Sequence, residues 1–277
     1  MTVSSPPPTA IRPPAPWPGL ALAESWHYRA ICLVLARRNL MVRYRQTLIG
    51  ASWSVIQPLL MMSVFTIFFG VLGRIPSGGL PYPIFFLLGL VPWQMVAKIL
   101  NEGSASVVAN AALVTRVWFP RVYFPISVAL ASLVDLALTG IALAILLIIF
   151  GVMPGPAIVV VPVLIAIGWM AALGVALWLS AINVAYRDVT QLLPFLTQLW
   201  MFCSPIIYPA SLIPEPFRPL YFLNPIALVV TGFRWAVGSS EAPPAEAWLL
   251  GSLVAVALLV SGYLFFRRRE GTFSDVI

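Results

Sequence analysis

The sequence predicts an all-α integral membrane protein with six transmembrane helices, and its composition and long uncharged segments carry that prediction. Of its 277 residues, 61% are hydrophobic and only 9% are charged, whereas soluble domains are about a quarter charged. Residues 51–72, ASWSVIQPLLMMSVFTIFFGVL, include no charged side chain. Because about 20 apolar residues in a helix span the roughly 30 Å hydrocarbon layer, this segment is long enough to cross a membrane.

Comparable apolar segments recur along the chain and predict one membrane domain. The second segment is short and Pro92 interrupts it, which predicts a re-entrant or broken helix. The fifth contains Pro194, Pro205 and Pro209. The six predicted spans are residues 51–72, 84–100, 123–150, 158–184, 192–213 and 248–266.

The residues before the first span divide into two parts. Residues 1–23 are rich in proline and predict a disordered tail, residues 24–47 predict an amphipathic helix on the membrane surface, and residues 48–277 form the transmembrane domain. An ordinary helical lead-in to the first span is the alternative for the second part. The predicted apolar stripe of the surface helix is Trp26, Leu33, Leu40 and Tyr44, with Arg38 and Arg45 together beside it.

The formal charge of +7 reflects membrane orientation. The arginines lie beside the spans, without the basic, aromatic-interleaved domain that a nucleic-acid partner requires. Positive residues concentrate on one side of the predicted spans, so both termini are predicted to be cytoplasmic. The arginines on that side are Arg37, Arg38, Arg43, Arg45, Arg116, Arg121, Arg187, Arg267, Arg268 and Arg269.

No motif for catalysis or metal binding is present in the sequence, so no catalytic residue and no metal site is predicted. The single lysine, Lys98, lies in VAKIL and not in the G-x-x-x-x-G-K-[ST] loop that cradles phosphates. The chain therefore cannot bind ATP in that way. The two cysteines, Cys32 and Cys203, are not spaced as metal ligands.

Asp135 is the most conspicuous acid because it falls inside the third predicted span. An acid in a membrane is costly and should face protein or water. It could serve as a proton relay or as a pore-facing polar group. We favour a packing residue hydrogen-bonded to hydroxyls such as Ser132 or Thr139, because one unpaired acid makes a poor relay.

Four segments carry a resemblance to a known family: VRYRQTLIGASWSVIQPLL, ALVTRVWFPRVYFP, CSPIIYPASLIPEPFRPLYFLNPIALVVTGFR and FRRREGTFSDVI. Together they resemble the membrane subunit of ABC-2 type polysaccharide exporters, the permeases for O-antigen, teichoic acid and capsular chains. The resemblance implies a homodimer in the bacterial cytoplasmic membrane, paired with two ATP-binding cassette subunits. It also implies a polysaccharide substrate linked to undecaprenyl diphosphate, with ATP and Mg²⁺ bound by the partner subunits and no cofactor on this chain.

The segment between the second and third predicted spans has an apolar ridge of Leu113, Val114 and Val117. The resemblance implies that this segment is a coupling helix seated in a groove of the ATPase. The alternative is an amphipathic loop that rests on lipid headgroups. The residues assigned to coupling are Leu113, Val114, Arg116, Val117, Phe119, Pro120 and Arg121.

Two further sets of residues have candidate roles. Arg38, Arg43 and Arg45 are candidates for binding the lipid diphosphate, since guanidinium groups pair bidentately with phosphate; the alternative is general membrane orientation and contact with anionic lipids. The resemblance also implies an external gate of short re-entrant helices. Asn224 and Pro225 would begin the second gate helix, and Arg234 would anchor it or contact the polymer; the alternative is a helix on the outer surface.

Aromatic side chains are the candidates for lining a pore, because sugar rings slide over aromatic faces. Most aromatic residues in the spans should nevertheless pack or face lipid. The resemblance favours a polysaccharide exporter over an ABC-2 drug or small-lipid exporter, and the missing acid–base cluster disfavours a membrane transferase. The candidate pore aromatics are Phe69, Trp93, Phe195, Trp200 and Phe202.

Overall fold

The computed structural model describes residues 28–45, 50–117, 119–238 and 242–273, apart from the side chains of Arg45 and Ala51. Regular structure within these ranges is entirely helical, which confirms the predicted all-α fold. The predicted proline-rich tail lies outside the described residues, as do both ends of the predicted surface helix.

Ten α-helices can be numbered in the described part of the chain. Short 3₁₀ turns occupy Gly50–Ser52, Pro156–Val160, Ala210–Leu212, Glu215–Phe217 and Glu270–Thr272, and the end of α2, Thr66–Leu72, is a π-helix. The helices are α1 (Arg29–Arg45), α2 (Trp53–Leu72), α3 (Tyr82–Ala109), α4 (Ala111–Arg116), α5 (Tyr123–Ile149), α6 (Val161–Ala185), α7 (Val189–Phe202), α8 (Arg218–Tyr221), α9 (Pro225–Val237) and α10 (Ala245–Arg269).

Among the residues that the structure describes, five helical segments are long and apolar enough to cross a membrane: α2, α3, α5, α6 with its preceding turn, and α10. A sixth is reached if the bent pair of Glu215–Tyr221 and α9 counts as one span. The five match the first, second, third, fourth and sixth predicted spans. The prediction that the second span is re-entrant or broken is wrong, because α3 runs unbroken through Pro92 for 28 residues. Helices on nearly all sides of α3 bury it, and this packing outweighs the roughly 3 kcal/mol that an internal proline costs.

The fifth predicted span, residues 192–213, is not one helix. Its helix, α7, ends at Phe202, and turns occupy the chain as far as Pro209. Two prolines in this stretch, Pro205 and Pro209, have no backbone N–H with which to continue a helix. The segment Glu215–Tyr221 and α9 follow, joined at a bend of 108°, so the chain folds back on itself there.

Helix α3 is central, and it packs against α2, α5, α6, α7 and α9. The most extensive helix contact is between α6 and α10. These two helices meet at Gly174 and Gly262, where an added Cβ atom would collide with the backbone of the other helix. Small residues allow such close backbone approach in membrane domains, where the hydrophobic effect does not drive helices together.

Helix α1 packs against α5 mainly through residues outside the predicted stripe, although Tyr44 of the stripe hydrogen-bonds to Asp135 of α5. The buried side chains are Cys32, Leu35 and Ala36, whereas Leu33 is 63% exposed. The placement of this helix on the membrane surface stays a prediction. A helix between a membrane domain and lipid has apolar neighbours on more than one side, so its apolar stripe need not face the protein.

Candidate functional site

A cavity of about 850 Å³ lies between α1, α2, α3 and α5. Its walls carry charged groups, amide side chains and two aromatic rings. Among the described residues, no three His, Cys, Asp or Glu side chains come together as a metal site would need. The polar residues that line the cavity are Arg43, Tyr44, Ser54, Gln57, Gln94, Lys98, Asn101, Glu102, Asp135 and Thr139.

Asp135 is the centre of this polar site. Its Oδ2 atom lies 2.6 Å from Arg43 Nη1 and 2.6 Å from Lys98 Nζ. Its Oδ1 atom accepts a hydrogen bond of 2.9 Å from Ser54 Oγ and another from the hydroxyl of Tyr44. One carboxylate therefore joins α1, α2, α3 and α5.

The expectation of an unpaired acid bonded to Ser132 or Thr139 is wrong. Ser132 Oγ donates to the carbonyl oxygen of Ala129, and Thr139 Oγ1 donates to the backbone oxygen of Asp135. Two cations and the hydroxyls of Tyr44 and Ser54 satisfy the carboxylate instead. The sequence contained both partners near membrane segments, but hydropathy does not reveal which segments are neighbours.

The charges around the cavity balance. Arg43 also pairs with Glu102, so two cations and two carboxylates form one group, which we call the Asp135 cluster: Arg43, Lys98, Glu102 and Asp135. Burial raises the pKa of Tyr44, and its hydrogen bond to Asp135 raises it further. The phenol therefore stays protonated and acts as a donor to the cluster.

Of the three arginines proposed for diphosphate binding, Arg38 and Arg43 have different partners. Arg43 is turned into the Asp135 cluster. Arg38 is exposed and donates to Asn110 Oδ1. Arg45 belongs to α1, but its side chain lies outside the described residues.

The predicted coupling ridge is divided between two environments. Val114 is only 3% exposed, and Leu113 packs against the same core. Val117 is 50% exposed, and Arg116 is exposed. The expectation that all three apolar residues of the ridge face outward is therefore wrong, because packing against the chain's own core takes Val114.

Just beyond this segment, a buried carboxylate that sequence reasoning missed ties two elements together. Glu270 is 7% exposed. It accepts from the backbone N–H of Arg121 and lies 2.6 Å from Arg267 Nη1, while Arg121 Nη1 donates to its carbonyl oxygen at 2.8 Å. Phe119 and Pro120 are buried alongside. The run RRRE contributes to the signal for membrane orientation and to the family resemblance, but neither identifies Glu270 as a structural residue.

At the other end of α3, Asn224 organises the fold-back region. Its Oδ1 atom accepts from Ile226 N at 3.1 Å and from Trp200 Nε1 at 3.0 Å, and its Nδ2 atom donates to Ser204 Oγ at 2.9 Å. Pro225 is the first residue of α9, a position where proline is favourable. These contacts fix the start of α9 against the end of α7.

Arg234 of α9 is 4% exposed and lies against the backbone. Its guanidinium donates to Ile206 O at 2.8 Å, to Tyr208 O at 3.2 Å and to Phe85 O at 3.3 Å. It also lies 3.5 Å from the centre of the Phe85 ring. Of the two roles considered for Arg234, this geometry fits the anchor and not contact with a polymer.

The candidate pore aromatics separate into two groups. Trp93 and Trp200 pack edge to face at 6.4 Å, and Phe69 packs on Phe65 at 5.6 Å. Phe195 and Phe202 of α7 are 61% and 48% exposed. These last two are the most exposed of the five, whereas Phe69 and Trp200 are half-buried and Trp93 is buried.

The fold and the site together define a multi-pass membrane protein. Its central helix has a helix fold-back at one end and a charge-balanced cavity towards the other. Residues 31–237 match the family described as ABC-2 type transporter, so the chain belongs to that family. It is 31% identical over 258 residues to the O-antigen export system permease protein RfbA of Myxococcus xanthus, covering 92% of this chain and 98% of that protein.

Other relatives agree with this assignment. The RfbA protein of Klebsiella pneumoniae is 29% identical over 74% of this chain and 78% of its own length. The polysialic acid transport protein KpsM of Escherichia coli is 23% identical over 84% of this chain and 91% of its own length. The resemblance and the prediction of a transporter subunit are confirmed. Family membership implies association with ATP-binding subunits.

Proposed function

We propose that this chain is the channel-forming permease subunit of a bacterial exporter for polysaccharide linked to undecaprenyl diphosphate. It acts in the cytoplasmic membrane with both termini in the cytoplasm, and ATP and Mg²⁺ bind to two partner subunits. The names of the relatives support a polysaccharide over a drug or small lipid, because they are O-antigen and polysialic acid transport proteins.

The observation that carries the proposal is a stripe on α7. Gln191, Phe195, Gln198 and Phe202 follow one another at helical spacing, and all four are exposed in the single chain. Exposed glutamine is unfavourable against lipid, whose hydrocarbon offers no hydrogen bonds. Alternating amides and aromatic rings suit a wet conduit for a sugar polymer, whose rings have both hydroxyl edges and apolar faces.

A second copy of the chain would complete this conduit. Most side chains of α2 and α7 are uncovered in one chain, whereas α3 is almost entirely buried. Pairing two copies through these helices would enclose the α7 stripe. The fold-back formed by α8 and α9, anchored by Asn224 and Arg234, would then be the external gate.

The contacts described above reduce the number of residues that can bind the lipid diphosphate or contact the ATP-binding subunit. Arg43 is already paired with two carboxylates, so the diphosphate role rests on Arg38 and Arg45. The exposed side chains of Arg116 and Val117 are available to an ATP-binding subunit. Leu113, Val114, Phe119, Pro120 and Arg121 would hold that surface in place.

The substrate is tested in inverted membrane vesicles that contain the permease and its ATP-binding subunits. ATP should drive undecaprenyl-diphosphate-linked polysaccharide into the vesicle lumen, where it is protected from added glycosidase. A vesicle without ATP is the control. Transport of a small amphiphile with no protection of polysaccharide would contradict the proposal and favour the drug or small-lipid alternative.

The coupling surface is tested with Val117→Asp. A buried charge in an interface is strongly unfavourable, so co-purification of the ATP-binding subunit and surface polymer should both fall by at least about tenfold. Leu212→Asp is the matched control, since Leu212 is 53% exposed and lies in the segment between α7 and α8. If Val117→Asp co-purifies as much ATP-binding subunit as the wild type, α4 is not the coupling element.

A further inference from the structure

We infer that the cavity between α1, α2, α3 and α5 binds a neutral, polyhydroxylated ring, namely the sugar unit next to the lipid diphosphate. The inference rests on the proposed function and adds a second binding determinant to it. Arg38 and Arg45 hold the phosphates, and the cavity holds the attached sugar.

The charge of the cavity excludes an anionic ligand. Arg43 and Lys98 both contact Asp135, and Arg43 also contacts Glu102. A phosphate placed here would have to displace one of these carboxylates and would then face it at close range. A neutral polar ligand meets no such repulsion, because the two cations and two carboxylates cancel.

The unused hydrogen-bonding capacity of the cavity calls for hydroxyl groups. The Oδ1 atom of Asn101 is buried without a partner among the described residues, while its Nδ2 atom donates to Ala97 O at 2.7 Å. The side chains of Gln57, which is exposed, and Gln94, which is half-buried, make no hydrogen bond within the described ranges and are open to a ligand. An amide both donates and accepts, as a sugar hydroxyl does, so the two groups are complementary.

The size and walls of the cavity fit the same ligand. Its volume of about 850 Å³ falls within the usual range for small-molecule sites. Trp53 and Tyr44 contribute aromatic rings, which suit the apolar face of a sugar. A lipid tail is disfavoured, because it would leave the amides and charges without polar partners.

The position of the cavity along α1 connects it to the headgroup. Tyr44 and Arg43 line the cavity, and Arg38 lies on the same helix five residues earlier. Five residues of α-helix correspond to roughly 7.5 Å along the axis. Arg38 therefore lies about one and a half turns of α1 from the residues that line the cavity, so the proposed diphosphate and its first sugar would together have to bridge that distance around the helix.

The test compares two lipids on the full permease complex in nanodiscs. The probes are bare undecaprenyl diphosphate and the same lipid carrying one N-acetylglucosamine or one galactose. The wild-type complex should bind at least one sugar-bearing lipid about tenfold more tightly than the bare lipid, as a few net hydrogen bonds would provide. Equal binding of the bare lipid and both sugar-bearing lipids would overturn the inference.

The double variant Gln57→Leu with Gln94→Leu then isolates the cavity. It keeps the side-chain size but removes the amides, so the tenfold preference should disappear while bare lipid binds as before. Asn39→Ala is the control, because Asn39 bonds to Ser127 Oγ and does not line the cavity; it should retain the preference. An unchanged preference in the double variant would also overturn the inference.

These arms separate the two proposals. Weaker binding of both the bare and the sugar-bearing lipid in Arg38→Gln, with the tenfold preference intact, supports both sites. If no lipid binds the wild-type complex and no polysaccharide is transported in vesicles, the proposed function fails. If polysaccharide is transported but the sugar adds nothing to lipid binding, the cavity inference alone fails, and the cavity holds water.

Discussion

Two charge sites that contact α3 are held in different ways. The Asp135 cluster, on the second half of α3, balances side-chain cations against side-chain carboxylates beside an open cavity. Near the start of α3, Arg234 is held by three backbone carbonyl oxygens and the ring of Phe85. The 17 residues from Phe85 to Glu102 correspond to roughly 25 Å of helix.

The difference separates a fixed anchor from an adjustable site. Carbonyl groups of a folded backbone cannot turn away without moving the chain, so Arg234 locks the turns after α7 onto α3. Carboxylate side chains next to a cavity can exchange partners with water or a ligand. Replacing residues at the two sites should therefore have different consequences for stability.

The largest effect is expected for Arg234→Ala. Three carbonyl oxygens lose a charged donor and Phe85 loses its cation, so we expect a loss of about 3 kcal/mol of stability or more. The measurement is thermal unfolding of the purified protein in detergent. Arg234→Lys is the control and should be intermediate, because a lysine has no planar fork to reach all three oxygens. If Arg234→Ala has the melting temperature of the wild type, Arg234 does not anchor the turns after α7 to α3.

A smaller effect is expected for Asp135→Asn, which leaves Arg43 and Lys98 without their shared carboxylate. Breaking a buried ion pair costs about 3–5 kcal/mol, and access to the cavity should reduce this to about 2 kcal/mol. Adding Lys98→Gln restores the charge balance, so the double variant should recover most of the loss. Additive losses in this double-mutant cycle would show that the charges do not act together.

The smallest effect is expected for Glu102→Gln. The Glu102 side chain is 43% exposed, so solvent screens its pair with Arg43. We expect a change of less than about 1 kcal/mol, decreasing further at high salt. The same melting experiment at low and high ionic strength measures it. If Glu102→Gln loses as much stability as Asp135→Asn, Glu102 is as important to the cluster as Asp135.

The sequence predicted the membrane spans well, because hydropathy depends on residues that are adjacent in the chain. Five spans were found in this way, and the fold-back after α7 begins where Pro205 and Pro209 interrupt the fifth predicted span. The continuous α3 was missed, since the cost of Pro92 is local whereas the packing that compensates for it comes from other helices.

The polar sites were harder to predict because their partners are distant in sequence. Arg43 and Asp135 are 92 residues apart in the sequence, and only the fold shows that their helices are neighbours. Arg121 and Glu270 are 149 residues apart. The acid in a predicted span correctly indicated a polar site. The sequence alone did not identify which cations would pair with it.

The glycine contact between α6 and α10 has a consequence for biosynthesis. Each of these helices satisfies its own backbone hydrogen bonds and can enter the bilayer alone. Since α6 leaves the ribosome well before α10, the surface around Gly174 is covered by lipid during that interval. The most extensive helix contact of the domain therefore forms when α10 displaces lipid from α6. A nascent chain interrupted before residue 245 remains in the membrane with the Gly174 face of α6 exposed to lipid.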